Sequence, residues 1–275
     1  VSALGRHTLL AVLAVAGLGV ALAFYALSPG HSSIDQRLQR GYPLRIGYAL
    51  EAPYAYMDSA GELRGESVDV LQHVLHRLGI DAVQHVRLDF GSLLEELEAG
   101  RIDLIAGGLF ITPERERRVR FTRPTAAVGP ALLLRDPPPV AGEPIRLAVI
   151  EGSVEAADPG QFVLGKHSIL RLPDARTAMA ALSLGEADAL ALSAPSLRWM
   201  AQNWSSGGAL TLQLIDTPRR GYPAFALAHA EAGFTARLDA ALAAYLGSPE
   251  HLRAVAAYGF LESDVLPAVE GRAQP

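Results

Sequence analysis

Cysteine is absent from the 275-residue chain, which removes disulfides, thiolate catalysis, thiolate metal centres and cysteine-linked lipid from consideration. Lysine is almost absent as well. Lys166 is the single one, so nearly all the positive charge is guanidinium, and Schiff-base chemistry has one candidate. No long run of one charge sign occurs. Lys and Arg total 24 against 29 Asp and Glu, a net charge of -5, and the lack of clustered phosphate-neutralising charge argues against a nucleic-acid partner. Neither an HExxH motif nor a GxSxG elbow is present, and the eight histidines show no ligand spacing, so neither metal nor cofactor is expected. Gly160 and Lys166 have the spacing of a phosphate loop, but His167 stands where a magnesium-holding Ser or Thr belongs.

What the chain has in quantity is apolar side chain: 50% of residues are hydrophobic, enough for more than one compact core. Residues 8–27 carry no charge and follow Arg6 and His7, the pattern of a membrane-targeting segment. Residues 1–27 are therefore expected to be a signal peptide, cut near Ala21-Leu22-Ala23, or an anchor, since a helix of that length just spans a ~30 Å hydrocarbon layer. In either case the remainder lies outside the cytoplasm. Residues 28–42 read as a linker and 266–275 as a tail.

From Leu44 onward strands and helices alternate: strands at 44–49, 82–88 and 103–106, helices at 67–78 and 92–98. Alternation predicts an α/β class with parallel strands and crossover helices. The helix at 67–78 directs Val68, Leu71, Val74, Leu75 and Leu78 to a core and leaves Asp69, Gln72, His73 and His76 to solvent.

An internal echo then appears at an offset of 85 residues, between 94–105 and 179–190. Each copy is a helix, a glycine stop (Gly100, Gly185), an aspartate (Asp103, Asp188) and a buried strand. Leu44-Arg45-Ile46 and Ile145-Arg146-Leu147 likewise read as the opening strand of each half. Two similar lobes follow. Asp136-Pro137-Pro138-Pro139 is expected to link them, 216–223 forms a second break, and a largely helical tail runs from 235 to 258.

Ligands of open parallel sheets bind beyond the carboxyl ends of the strands, which selects the loops at 49–56, 107–115, 151–154 and 192–195. In the second of these Gly107 and Gly108 let backbone approach a ligand, Thr112 caps a helix opened by Pro113, and Arg115 offers a planar fork to a carboxylate. Arg117, Arg118 and Arg120 are expected to be solvated.

Pro53-Tyr54-Ala55-Tyr56, Gly61-Glu62-Leu63-Arg64-Gly65, Asp89-Phe90, Gly100-Arg101-Ile102-Asp103-Leu104, Ile111-Thr112-Pro113-Glu114-Arg115 and Phe121-Thr122-Arg123-Pro124 together resemble the family-3 extracellular solute-binding proteins of amino-acid import systems. The likeness runs in order from Leu44 to Ala131 and more loosely to Phe260. It implies a two-lobed type II periplasmic-binding-protein fold behind an N-terminal hydrophobic helix. Lobe one would be 43–125 plus 224–265 and lobe two 130–219, joined by two hinge crossings. By the same likeness Arg115 grips a ligand carboxylate, Gly108 and Thr112 add main-chain or hydroxyl contacts, Phe90 packs on the ligand, Tyr54 lines the site, and Ser153 reaches from the second lobe. The implied partners are a small carboxylate ligand and an ABC permease, with a monomeric protein and no covalent chemistry.

Three positions depart from the family's pattern. Ser193 stands in place of the usual amine-binding aspartate, Phe110 in place of a hydroxyl residue, and Glu51 in place of an aromatic ring. Glu51 could supply the missing carboxylate, giving with Arg115 a pair suited to a zwitterion; equally, the ligand could carry no amine. Two other functions remain open on sequence: a dehydratase resembling cyclohexadienyl dehydratase, with Glu51 or Glu151 as acid, and a membrane-anchored sensor or partner-binding module.

Overall fold

The computed structural model describes residues 32–137, 143–162, 166–204 and 209–271, so the hydrophobic leader expected at 1–27 lies outside the described residues. After a short helix α1 (Ile34–Gln39) the chain forms β1 (Leu44–Tyr48), the paired β2 (Tyr56–Met57) and β3 (Leu63–Arg64), and α2 (Glu66–Arg77). Next come β4 (Val83–Arg87), α3 (Leu93–Glu98), β5 (Leu104–Ile105), α4 (Pro113–Glu116) and β6 (Arg120–Phe121). A second set follows: β7 (Pro130–Arg135), β8 (Ile145–Ile150), α5 (Val154–Ala157), β9 (His167–Leu172), α6 (Ala175–Ser183), β10 (Ala189–Ser193), α7 (Ala194–Asn203) and β11 (Leu210–Leu214). The chain then returns as β12 (Ala226–Leu227) and ends in α8 (Ala232–Tyr245), α9 (Pro249–Ala256) and α10 (Glu262–Val269).

These strands make two five-stranded sheets, ordered β4-β1-β5-β12-β6 and β11-β7-β10-β8-β9. The sequence echo has a direct physical counterpart. Asp103 accepts from the backbone N–H of Arg45 (2.9 Å) and from its Nη2 (2.6 Å); Asp188 accepts from the backbone N–H of Arg146 (2.9 Å) and from its Nη2 (2.6 Å). Both aspartates are buried, so in each lobe a charge-assisted clamp ties the opening strand to the loop before the next one. Gly100 and Gly185 end the preceding helices with positive φ (66° and 73°), which an L side chain adopts only under strain.

The sheets are mixed, whereas alternation predicted parallel strands. β12 runs antiparallel to β5 and β6, and β7 antiparallel to β10 and β11. Both reversed strands enter directly from the opposite lobe, so they arrive from the other end of the sheet. The crossings touch where Val128 and Gly221 exchange backbone hydrogen bonds of 2.8 and 2.7 Å. The proline run beginning at Asp136 is not the link between halves that its composition predicts. It follows β7, which already belongs to the second sheet, and residues 138–142 lie outside the described residues.

Two further differences concern segments read as solvated. Within the expected linker 28–42, α1 is a capped helix: Ser33 Oγ accepts from Gln36 N–H, Ile34 is buried, and Asp35 pairs with Arg237 of α8. On α2, Val68, Leu71, Val74 and Leu75 are buried as the periodicity predicts, but His73 is half-buried, its ring stacked on Tyr245 at 3.8 Å. A helix covering that side, α8, turned part of the polar face inward.

A candidate ligand cleft between the lobes

The loop after β1 folds back on itself at Glu51, whose N–H donates to the carbonyls of Ala49 and Ala55 (both 3.0 Å). This tight return buries the Glu51 side chain and carries Tyr54 into full burial. The Tyr54 hydroxyl reaches across to Ser193 Oγ of the second lobe at 3.2 Å, and Ser193 Oγ lies 2.9 Å from Ser196 Oγ. Gly108, after β5, has φ 75°, and a Cβ there would sit 2.6 Å from the Tyr54 ring, so only glycine leaves room for that tyrosine.

Arg115 sits one turn into α4, beyond Thr112, whose Oγ1 caps the helix by accepting from Arg115 N–H at 3.2 Å. Its guanidinium is buried and turned into the gap between lobes. One arm donates to the Phe110 carbonyl (2.7 Å), the other to the Gly152 carbonyl of the second lobe (2.8 Å), and the Phe90 ring lies 5.8 Å from its centre. Gly152 takes part through its lack of a side chain: a Cβ there would fall 2.9 Å from Gly91 Cα, so the two backbones meet where both residues are glycine. Ser153 caps α5 by accepting from Ala156 N–H at 3.1 Å.

Six of the nine residues singled out from sequence line the open space of one seam, Phe90, Phe110, Thr112 and Arg115 from the first sheet's side and Ser153 and Ser193 from the second's, whereas Glu51, Tyr54 and Gly108 line neither of its cavities. A cavity of about 160 Å³ lies inside it, lined by Phe110, Thr112, Glu155, Phe162 and Ser193. It adjoins an outer opening of about 700 Å³ lined by Phe90, Arg115, Gly152 and Ser153, the two sharing Thr112, Val154 and Arg219. A larger groove on the outer side of α2, about 930 Å³, contains none of these residues. Arg117 and Arg120 are exposed as expected, while Arg118 is partly covered and bonds to Glu98 through two contacts of 2.7 and 2.8 Å.

Electrostatically the seam is unusual for its buried carboxyls. Burial above all, and then the nearby Glu155 charge, raise Glu51 to about 8 against the pull of Arg115 and a hydrogen bond from Ser196. Glu155 is raised by burial too, against the hydrogen bonds of its own backbone N–H and Ser153 and the charge of Arg115. Burial lowers Arg115, with Glu155 and Glu51 as opposing charges. The position of Glu155 was not legible in sequence, because α5 is a single turn with no apolar period to orient it.

Other seam contacts were missed for a similar reason, since each joins residues remote in sequence. Arg198 on α7 forms an ion pair with Asp264 on α10, and the Tyr56 and Trp199 rings meet at 4.8 Å. Apolar side chains continue from Leu93 and Leu109 on one side to Ile150 and Leu192 on the other, so the lobes meet in a closed arrangement.

The model of the bacterial extracellular solute-binding proteins, family 3, matches residues 44–258. The chain belongs to that family. Among its relatives is a probable amino-acid ABC transporter periplasmic-binding protein, y4tE, of Sinorhizobium fredii, 26% identical over 271 residues, covering 91% of this chain and 88% of the relative. Among solved structures, EhuB in complex with hydroxyectoine matches with a TM-score of 0.72 at 22% identity, covering 85% of this chain and 96% of that one. The ancestral amino-acid-binding protein AncCDT-1, described as a precursor of cyclohexadienyl dehydratase, matches with a TM-score of 0.67 at 22% identity, covering 83% and 96%. At such identities the structures show the fold alone: two sheet-bearing lobes of the type II periplasmic-binding kind. Among the described residues no helix is long and apolar enough to cross a membrane.

Proposed function

We propose that the protein binds a small solute bearing a carboxylate and a cationic group, closes its lobes on it, and releases it unchanged to an ABC-type importer of amino acids or related compounds outside the cytoplasm. In this reading lobe one is 43–125 plus 224–265, lobe two is 130–219, and the leader exports or anchors them. The observation that carries it is the burial of Arg115 and Glu51, whose charges act on each other, on one side of a seam whose other side supplies Gly152, Ser153 and Ser193.

A solute carboxylate takes the guanidinium fork from the Gly152 carbonyl, gaining a bidentate, charge-assisted contact that fixes its orientation. The cationic end then meets Glu51, which compensates from lobe one for the uncharged Ser193 of lobe two. Phe90 covers the guanidinium on its outer side, and Thr112 and Ser153 offer hydroxyls at the rim. Tyr54 with Gly108, and Phe110 through its carbonyl, hold the floor on which these groups stand.

A second reading has one observation in its favour: a carboxyl near 8 stays protonated at neutral pH, as the acid of a dehydratase would have to be. One experiment separates the two. Protein purified from cells is denatured and the released small molecules identified by mass spectrometry, and the recovered solute is then titrated back. The proposal expects a carboxylate-bearing cation that raises the melting temperature, by an amount corresponding to ~2.7 kcal/mol at a hundredfold excess over Kd, and that is recovered intact. Recovery of a dehydrated product would favour the enzyme, and a solute without a carboxylate would overturn the proposal.

A further inference from the structure

We propose that α7 and α10 form a latch beside the ligand cleft, which holds the two lobes closed through contacts in which no solute takes part. The inference rests on the proposed closure of the lobes but on no property of the solute. Its centre is the ion pair of Arg198 with Asp264. Arg198 stands on α7, which packs against β7, β10 and β11 of the second sheet. Asp264 stands on α10, whose Val265 is buried in the core beside the first sheet. Both partners are largely withdrawn from water, with side chains 19% and 11% exposed. Next to Arg198, Trp199 brings its ring to Tyr56 of β2 at 4.8 Å, and Tyr258 meets Tyr56 edge-on at 6.2 Å. Ser196, one turn earlier on α7, is buried against Ser193, the partner of the Tyr54 hydroxyl. One face of α7 is thus docked on the first lobe.

Arg198, Asp264, Trp199 and Tyr56 line neither the inner cavity nor the outer opening, so their contacts form whatever solute those spaces receive. Asp264 is also fixed independently of Arg198. Its carboxylate caps α10 by accepting from Leu261 N–H at 3.0 Å, and its carbonyl accepts from Ala127 N–H at 2.6 Å, one residue ahead of the first crossing at Val128. Fastened there, α10 stays with the first lobe when the crossings bend, and rotation of the second lobe draws Arg198 away from it. A carboxylate already ordered by its own helix loses little further freedom when the guanidinium arrives, and the exclusion of water strengthens their attraction. Closure is thereby favoured in advance, and less of the solute's binding energy goes into bringing the lobes together.

Because the chain has no cysteine, Glu95→Cys on α3 and Arg176→Cys on α6, both at exposed positions, place one spin label on each lobe. The protein is unfolded and refolded to strip retained solute, and the distance between labels is measured by pulsed electron resonance. With the latch intact, the main population is expected at the short separation that α3 and α6 have in this structure. Arg198→Gln and Asp264→Asn are each expected to raise the ratio of long to short separations at least about tenfold. Together they are expected to do no more than either alone, because the pair acts as one unit. Arg198→Gln leaves the α10 cap untouched and Asp264→Asn keeps an oxygen for it, so unchanged far-ultraviolet circular dichroism confirms that both variants fold. A long separation with the latch intact, a ratio that either variant leaves unmoved, or effects that add in the double variant overturns the latch. Each of these results leaves the solute site standing, since no latch residue lines it, and that site is tested separately by the mass spectrometry of the retained solute.

Discussion

Arg115→Ala is expected to abolish the ligand-dependent rise in melting temperature and to weaken binding at least about a hundredfold, while the ligand-free variant remains folded. The first part follows from the energy of a bidentate guanidinium–carboxylate contact in a desolvated site, roughly 3 kcal/mol or more when one partner is removed. The second follows from what Arg115 does for the fold itself. Its side chain donates to two carbonyls, of Phe110 and Gly152, and its backbone N–H remains in the Thr112 cap whatever the side chain is. Removing the guanidinium also takes away the charge that lowers both Glu51 and Glu155, so these carboxyls bind protons more firmly and stay neutral instead of becoming orphaned ions. Arg115→Lys keeps the charge but offers a point donor in place of the fork, and is expected to recover only part of the loss. Calorimetry with the solute recovered from the wild type measures all three, and undiminished affinity in the alanine variant would remove Arg115 from the site.

The second large effect concerns pH. Glu51 titrates from 4.5 in the unfolded chain to about 8 in the fold. A raised carboxyl favours the folded state where it is protonated, so its contribution is fully present below the unfolded value and is lost as pH climbs through 8. Glu51→Gln is always neutral. Without solute, the variant and the wild type should therefore melt together near pH 4, and the variant should gain steadily above that. By pH 9 it should be ahead by roughly 3–5 kcal/mol, or on the order of 10 °C. Glu66, raised to about 7 by burial at the start of α2, keeps a pH dependence of its own in both proteins, which is why the difference between them, and not either curve alone, reports Glu51. In the presence of solute the sign reverses. A cation stabilises the ionised carboxylate, so wild-type affinity rises with pH up to about 8, and the variant's loss of affinity grows with pH and fades toward acid, where Glu51 is neutral as well. Differential scanning calorimetry with and without solute checks both halves, and parallel melting curves from pH 4 to pH 9 would show that Glu51 is hydrated in solution.

These two residues also mark how far sequence carried. The duplicated pattern was readable because the same task, anchoring an opening strand to a later loop, selects the same pair, Arg45 with Asp103 and Arg146 with Asp188. Loops at strand ends could be listed in advance because α/β sheets leave free backbone groups there, and the folded chain brings those four loops to one seam. Strand direction was not readable. A two-residue strand such as β12 carries no pattern of its own, and its direction is set by the hinge from which the chain arrives. The burial of Glu155 was hidden for a different reason: an acidic residue in the first turn of a helix is ordinarily a solvated partner of the helix dipole. Segments from far away in the chain, Phe110 and Thr112 of the first lobe and Ser193 of the second among them, close around it and make it an interior group. Arg198 with Asp264 and Tyr56 with Trp199 belong to the same class of contact.

The central claim, that a guanidinium and a carboxylate at the lobe seam hold opposite ends of one solute, is tested most directly by a crystal structure of the protein with its retained solute. The account predicts a solute carboxylate within hydrogen-bond distance of both Arg115 Nη atoms, its cationic group against Glu51, and the Gly152 carbonyl displaced from the guanidinium. Solute bound outside the seam, with Arg115 still donating to Phe110 and Gly152, would contradict it.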